Sequence, residues 1–379
     1  MPIPSDLETP LLLLDEARMQ RNIDRMQARM NALRVRFRPH VKTSKCAEVV
    51  RRQLAAGARG ITVSTLKEAE RFAAEGVDDI LYAVAIAPSK LDHAMRVARE
   101  GVRLTVLVES VAGATALARH GIEQRHVHEV MVEIDTDGHR SGVRPDDPVL
   151  DEIARALRTE VGGGAHLAGV MTHAGSSYAL DTPAALAAMA EQERRGCVRA
   201  AERLRAAGHA CEMVSIGSTP TALSARSLDG VTEVRAGVYV FFDLVMAGVG
   251  VCSRDEIALS VLCSVIGHRE DAGWVITDAG WMAMSRDRGT QKQRRDFGYG
   301  AVCDAGGHPI DALAFEDANQ EHGVLHWTGD RDVDLAQRFP LGAQLRILPN
   351  HACATAAQFD RYSVLSGGRM REWPRFGGW

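Results

Sequence analysis

The chain has 379 residues, 46% of them hydrophobic and 25% charged, a composition that excludes a disordered chain and, at about 150 residues per domain, suggests two domains or one large barrel with an appendage. Its 45 basic and 49 acidic residues leave a formal net charge of −4, without the basic excess of a general nucleic-acid binder. No apolar run approaches the roughly 20 residues that span a bilayer. Met1-Pro2-Ile3-Pro4-Ser5-Asp6 also lacks the positive region and apolar core of a signal peptide, so the expectation is a cytoplasmic protein with no membrane partner.

An apolar run, Leu11 to Leu14, opens the pattern, with Asp15 placed to cap a helix. Met19, Ile23, Met26, Met30 and Leu33 then recur at spacings of three and four, the buried face of a helix. Short apolar, β-branched runs follow at 35–41, 60–64, 79–84, 103–108, 129–135, 167–172, 212–216 and 232–235. They alternate with helical patterns such as 47–56, 66–74, 91–100 and 183–207. Eight β/α units in about 225 residues predict a parallel (β/α)8 barrel, an α/β fold whose ordinary size is about 250 residues. A doubly wound open sheet is the alternative, weakened by the absence of G-x-G-x-x-G after the first strand. From about residue 250 the helical period fades. Alternating runs at 257–265, 274–277, 323–327 and 344–347, separated by Gly and Asp clusters, predict a mostly antiparallel β domain of about 130 residues. The tail 367–379, rich in Arg, Gly and aromatic residues, is expected to pack on the surface or on a partner chain.

Seven cysteines, at 46, 197, 211, 252, 263, 303 and 353, are odd in number and include no C-x-x-C, which argues against a disulfide framework and a four-cysteine zinc site. The chain has no G-x-x-x-x-G-K-[ST], no H-E-x-x-H and no G-x-S-x-G.

The chemistry of such a barrel sits at the C-terminal ends of its strands. There the sequence places Arg38-Pro39-His40-Val41-Lys42-Thr43, Asp135-Thr136-Asp137-Gly138-His139-Arg140, Thr172-His173-Ala174-Gly175-Ser176-Ser177-Tyr178, Ser215-Ile216-Gly217-Ser218-Thr219-Pro220-Thr221 and Arg235-Ala236-Gly237-Val238-Tyr239. The stretch 215–221 suits an anion: a glycine for close backbone approach, two hydroxyls, and a proline that starts a helix. The same residues also make an ordinary capped helix start. Lys42, at a strand end, is expected to be partly buried, and desolvation would make it a candidate nucleophile; the other reading is a lysine that reaches solvent, which is the reading for Lys45. His351-Ala352-Cys353 puts imidazole and thiol two apart, on one side of a segment read as extended. The pair suits zinc but is too small for a closed site, and H-x-C is equally the pattern of two buried side chains. His322, in Gln320-Glu321-His322-Gly323, is a further candidate.

These motifs, in this order and over essentially the whole chain, resemble the D-serine dehydratase / D-threonine aldolase family of fold-type III pyridoxal-phosphate enzymes. The resemblance implies an alanine-racemase-like barrel over 15–248, and a second domain built from 1–14 and 249–379 that carries the metal pair. It implies Lys42 as the catalytic lysine that holds pyridoxal 5'-phosphate, with Ser215, Gly217, Ser218, Thr219, Gly237 and Tyr239 near the phosphate. Arg140, His173 and Tyr178 match polar positions of the family's cofactor pocket. His351 and Cys353 match the ligands of a divalent metal, zinc or manganese, with magnesium and cobalt as alternatives.

The implied activity is a carbon–nitrogen lyase that dehydrates D-3-hydroxy amino acids, with D-threo-3-hydroxyaspartate the expected substrate, giving oxaloacetate and ammonia. A homodimer is also implied. The family's aldolases more often carry H-x-D at the metal pair, whereas Cys353 follows the dehydratases, and a thiolate favours softer metals. A D-serine dehydratase, a D-threonine aldolase and a non-catalytic cofactor-binding protein are the alternatives.

Overall fold

The structure is a computed structural model and describes residues 7–158 and 163–379. Met1–Asp6, which include the start of the segment expected to join the second domain, lie outside the described residues. Strand β1 (Leu11–Asp15) runs directly into helix α1 (Glu16–Ala32). Asp15 caps that helix by accepting the Arg18 N–H at 2.9 Å, and Met19, Ile23, Met26 and Met30 are all buried, as their spacing requires.

Eight strands follow: β2 (Arg36–Pro39), β3 (Ile61–Val63), β4 (Asp79–Ala85), β5 (Arg103–Val108), β6 (His128–Ile134), β7 (Ala165–Thr172), β8 (Met213–Ile216) and β9 (Glu233–Ala236). They pair in the order β2-β9-β8-β7-β6-β5-β4-β3, and a parallel bridge from His40 to Thr62 joins the two ends. The result is the expected parallel barrel, its strands within two residues of the apolar runs. The helices Ala47–Ala55, Leu66–Ala74, Leu91–Arg99 and Pro183–Ala206 fall where the helical periods place them. One apolar cluster, Leu81, Leu107, Met131, Ala168 and Met171, draws on four successive strands.

The barrel also buries charge. Arg38 on β2 donates to both oxygens of Asp79 and, through Nε, to Glu233 at 2.8 Å. Arg103 reaches the same Asp79 at 2.7 Å. Glu233 accepts the Ser215 hydroxyl at 2.8 Å, Ser215 accepts from Arg235 Nε at 2.9 Å, and Arg235 donates onward to the Thr172 carbonyl. This ladder runs from strand starts, Asp79 and Arg103, to the end of β7. Charge at every second residue of β9, Glu233 and Arg235, is the local pattern that builds it.

The remaining strands are β10 (Leu259–Arg269), β11 (Trp274–Thr277), β12 (Ala301–Asp304), β13 (Pro309–Ala318), β14 (Gly323–Trp327), β15 (Gln344–Leu348), β16 (Arg361–Ser366) and β17 (Arg369–Pro374). With β1 they form a nine-stranded sheet in the order β11-β14-β13-β12-β15-β10-β1-β16-β17. β1 pairs antiparallel with β10, Leu11 opposite Leu262, and parallel with β16, Leu13 opposite Ser363. The chain thus divides into a unit of residues 24–237 and a unit that includes 7–23 and 238–377. The tail packs on the surface as an edge strand: β17 pairs residue for residue with β16, and Trp373 and Arg375 are buried.

Replacing Glu233 with Ala removes the carboxylate shared by Arg38 and Ser215, leaving Arg38 with Asp79 as its carboxylate partner and its buried Nε–H unmet. The expected loss is about 3–5 kcal/mol of folding stability, read as a lower denaturant midpoint. An unchanged midpoint would show that Asp79 alone suffices for Arg38.

Candidate functional site

In the barrel unit the segment after β2 turns sharply. The Val41 N–H donates to the Thr62 carbonyl at 2.9 Å, and residues 41–44 form a turn closed by Lys45 N–H on the Val41 carbonyl at 2.8 Å. Lys42 lies in that turn, beyond the strand, so its side chain is exposed rather than partly buried as expected. The two lysines also exchange the roles expected of them: Lys45 pairs with the buried Glu68 carboxylate at 3.1 Å, whereas Lys42 has no carboxylate partner among the described residues.

Two imidazoles feel the Lys42 charge. Burial first, then Lys42, Arg235 and His173, hold the His40 pKa well below the ordinary range, and only a backbone hydrogen bond with Thr62 opposes them. Its Nδ1 is buried without a hydrogen-bond partner, while Nε2 lies 3.4 Å from the Ser64 hydroxyl. His173 is lowered to about 3, first by burial; its bond to the Gly217 carbonyl opposes this, and Lys42, Arg140 and Arg235 add to it. That bond, 2.9 Å long, requires the proton on Nδ1 and leaves Nε2 a bare acceptor. The Tyr178 ring lies 6.0 Å from that of His173, in the short turn Gly175–Ala179. Arg140 is exposed and reaches Glu133 at 3.3 Å.

The loops after β7 and β8 are fastened together. Glu193, buried on helix Pro183–Ala206, accepts the Ala174 and Gly217 N–H groups, each at 3.0 Å. Burial pushes its carboxyl pKa up against those bonds. Ser218 caps helix Thr219–Ser224 in a capping box with Thr221, and its hydroxyl meets that of Ser177 at 2.8 Å. Thr219 is buried in the first turn. Ser215 lies lower, with its side chain committed to Glu233 and Arg235. Gly217 has φ +132°, and a Cβ there would collide with the Arg235 carbonyl. A Cβ at Gly237 would lie 3.0 Å from the His40 carbonyl and 3.2 Å from the Thr43 hydroxyl, so the first and last strand ends are in contact there. The barrel unit therefore gathers Lys42, His40, His173, Gly217 and Gly237, with Ser177 and Ser218 behind them. A lysine with no carboxylate partner among the described residues, an unpartnered buried imidazole nitrogen and the Ser177 and Ser218 hydroxyls at a helix start are a donor set that fits pyridoxal phosphate.

The other unit holds Tyr239, buried in the turn Val238–Val240, and the His351–Cys353 pair. The pair is not on an extended segment. His351 is the N-cap of helix Ala352–Ala356 and Cys353 lies in its first turn. The buried carboxylate of Asp243 accepts the Ala352 N–H at 2.9 Å and so draws the segment into a helix. His351 Nδ1–H donates to Asp287 at 2.6 Å. Its pKa reaches about 11: burial opposes the rise, and Cys353, Asp287 and Asp243 outweigh it. Imidazole and thiol in mutual contact form a donor pair for a soft divalent ion. Among the described residues no group of three His, Cys, Asp or Glu side chains could hold a metal, so the pair leaves positions for water or substrate. His322 is exposed between β13 and β14 and joins no such group.

Sequence reasoning did not single out His40, Glu193, Asp243 or Asp287. Glu193 carried a signal: it shares the apolar face of its helix with Leu186, Ala190, Cys197 and Leu204. Asp243 is legible as an N-cap, since it accepts the Met246 N–H of helix Leu244–Val249. Asp287 is 64 residues from its partner and carried none.

Residues 14–245 match the family described as "Alanine racemase, N-terminal domain", and residues 258–365 match "Putative serine dehydratase domain". The chain is 61% identical over 376 residues, 98% of each protein, to D-threo-3-hydroxyaspartate dehydratase of Delftia sp. (strain HT23). It is 31% identical to D-threonine aldolase of Arthrobacter sp, over 97% of this chain and 91% of the relative. A solved structure described as the C353A mutant of D-threo-3-hydroxyaspartate dehydratase in the metal-free form superposes with a TM-score of 0.96 at 60% identity, over 99% of both chains.

His173 gives the barrel a pH dependence. Its pKa is about 3 in the folded chain against 6.5 as the ordinary value, so below pH 6.5 the unfolded chain takes up a proton that the folded chain refuses. Stability is complete above that value and is lost progressively as pH falls toward 3. His173→Gln keeps an N–H donor for Gly217 and cannot titrate. Between pH 7 and pH 5 the denaturant midpoint of the parent should fall further than that of the variant; parallel curves would contradict the assignment.

Proposed function

The chain belongs to the D-serine dehydratase / D-threonine aldolase family of fold-type III pyridoxal-phosphate enzymes, and we propose that it is a carbon–nitrogen lyase that converts D-threo-3-hydroxyaspartate to oxaloacetate and ammonia. The observation that carries this reading is the thiol of Cys353 beside His351, where the aldolases tend to have a carboxylate; the 61% identity to a dehydratase supports it.

Lys42 is the residue that holds the cofactor and, once released, takes the Cα proton. Its neighbours suit that work, since His40 and His173 are held neutral and add no positive charge beside it. Thr219, Ser218, Gly217 and Gly237 offer the phosphate its contacts, and Arg140, Tyr178 and Tyr239 complete the assignments carried by the resemblance. Pyridoxal phosphate, when bound, supplies the electron sink for the carbanion. A divalent ion on His351 and Cys353 supplies Lewis acidity at a β-hydroxyl, and the thiolate favours zinc over manganese, magnesium or cobalt. Loss of the Cα proton and the β-hydroxyl as water leaves an enamine. Its imine tautomer is hydrolysed by one water to the keto acid and ammonia, so no net water is consumed. Assembly as a homodimer is assigned on the family resemblance.

Supplied in turn with D-threo-3-hydroxyaspartate, D-serine and D-threonine, the enzyme should release ammonia and keto acid, most rapidly from the first. Glycine and aldehyde as the main products would replace this reading with the aldolase, ammonia mainly from D-serine would move only the substrate, and no product would favour a cofactor carrier. Lys42→Ala should lose the visible absorbance of the bound cofactor and lower turnover by about 10³-fold or more, the upper range for a general base. Lys45→Ala should keep the absorbance; the reverse result would transfer the role to Lys45.

A further inference from the structure

The carboxylate of Asp287 is tied to neither the chemistry nor the strand framework described above, yet it makes a short bond to a candidate metal donor. It accepts the His351 Nδ1–H at 2.6 Å, across 64 residues of sequence. The loop it belongs to is fastened to the donor segment on both sides of that bond. Thr290 donates to the Asn350 side-chain oxygen at 3.1 Å, and the Asn350 amide nitrogen donates to the Gly298 carbonyl at 2.7 Å. Beyond the pair, the Thr355 hydroxyl donates to the Met284 carbonyl at 2.8 Å. Asp287 itself is held by its N–H on the Ser285 hydroxyl at 2.9 Å. Asp243 serves the backbone of the same segment through Ala352, whereas Asp287 reaches the imidazole.

We propose that Asp287 is the positioning residue of the His351–Cys353 pair: it holds the proton on Nδ1, fixes the plane of the ring, and leaves Nε2 as the nitrogen that binds a divalent metal. The inference rests on the reading of His351 and Cys353 as metal donors. A carboxylate on the far nitrogen of a metal-binding histidine fixes its tautomer and raises its basicity. It matters more here than in a closed site, because two protein donors must hold the ion and any misorientation of one is not compensated by others.

The test is zinc affinity of the cofactor-loaded full chain, measured by competition with a chromogenic chelator, for the parent, His351→Ala, Asp287→Ala and Asp287→Asn, with denaturant midpoints taken in parallel. Asp287→Ala should weaken zinc binding about 10–100-fold, the usual effect of removing such a partner. Asp287→Asn, which keeps an acceptor oxygen without its charge, should fall between Asp287→Ala and the parent, and it decides the matter if the alanine variant does not fold. Zinc affinity within about twofold of the parent in the Asp287 variants, with a lowered midpoint, would reduce Asp287 to a structural anchor and overturn the proposal while the metal assignment stands. Equal affinity in His351→Ala and the parent would overturn the metal assignment, and the Asp287 proposal with it.

Discussion

The ladder that runs from exposed Arg103 and half-buried Asp79 inward through buried Arg38, Glu233, Ser215 and Arg235 to the Thr172 carbonyl is the constraint on which the barrel's strand-end chemistry depends. A guanidinium inside a protein is tolerated only when its donors are met. Arg38 meets that requirement with two carboxylates. Arg235 meets it by reaching the last residue of β7, so the end of that strand is fixed by a charge that cannot move without exposing itself. His173 follows at once, and its bond to Gly217 passes the constraint to the loop after β8. Glu193 repeats the connection from outside the strands by accepting one N–H from each of the two loops. The rim is therefore set by specific polar contacts above the apolar packing.

Much of the fold was legible because the barrel strands are short apolar runs set between strongly periodic helices. Local preference and tertiary placement agree there. Of the strands that escaped, β13, β16 and β17 begin in Pro or Arg and alternate buried with exposed positions weakly, and β12 is only four residues long, so their identity comes from pairing. β17 shows this best: it is half charged, and its alignment against β16 from Arg369 to Pro374 makes it a strand. The same division holds in the candidate site. Strand-end motifs can be read locally, because a parallel barrel puts them on one rim. The conformation of His351-Ala352-Cys353 could not be, since Asp243, 109 residues away, takes the Ala352 N–H and starts a helix where an extended segment was expected. Lys42 and Lys45 were misjudged for a related reason: which of two nearby lysines stays unpaired is decided by Glu68, on another helix.

Two histidines show how the same side chain is set to opposite states. Around His173 the surroundings are burial and positive charge from Lys42, Arg140 and Arg235, and the imidazole stays neutral, with a pKa of about 3. Around His351 a thiol and two carboxylates overcome burial and raise it to about 11. Each state follows from the neighbours and not from the residue itself. A neutral imidazole among cations can only accept or donate single hydrogen bonds, which suits holding a polar group in place without adding charge. An imidazole among anions sits in a field that attracts a cation, and a proton occupies it when nothing else does. A divalent ion held by the proposed pair would meet a thiol, an imidazole nitrogen and the potential of Asp243 and Asp287 together. Binding then amounts to exchanging protons for a metal, so the affinity of the pair for such an ion should rise as the proton concentration falls.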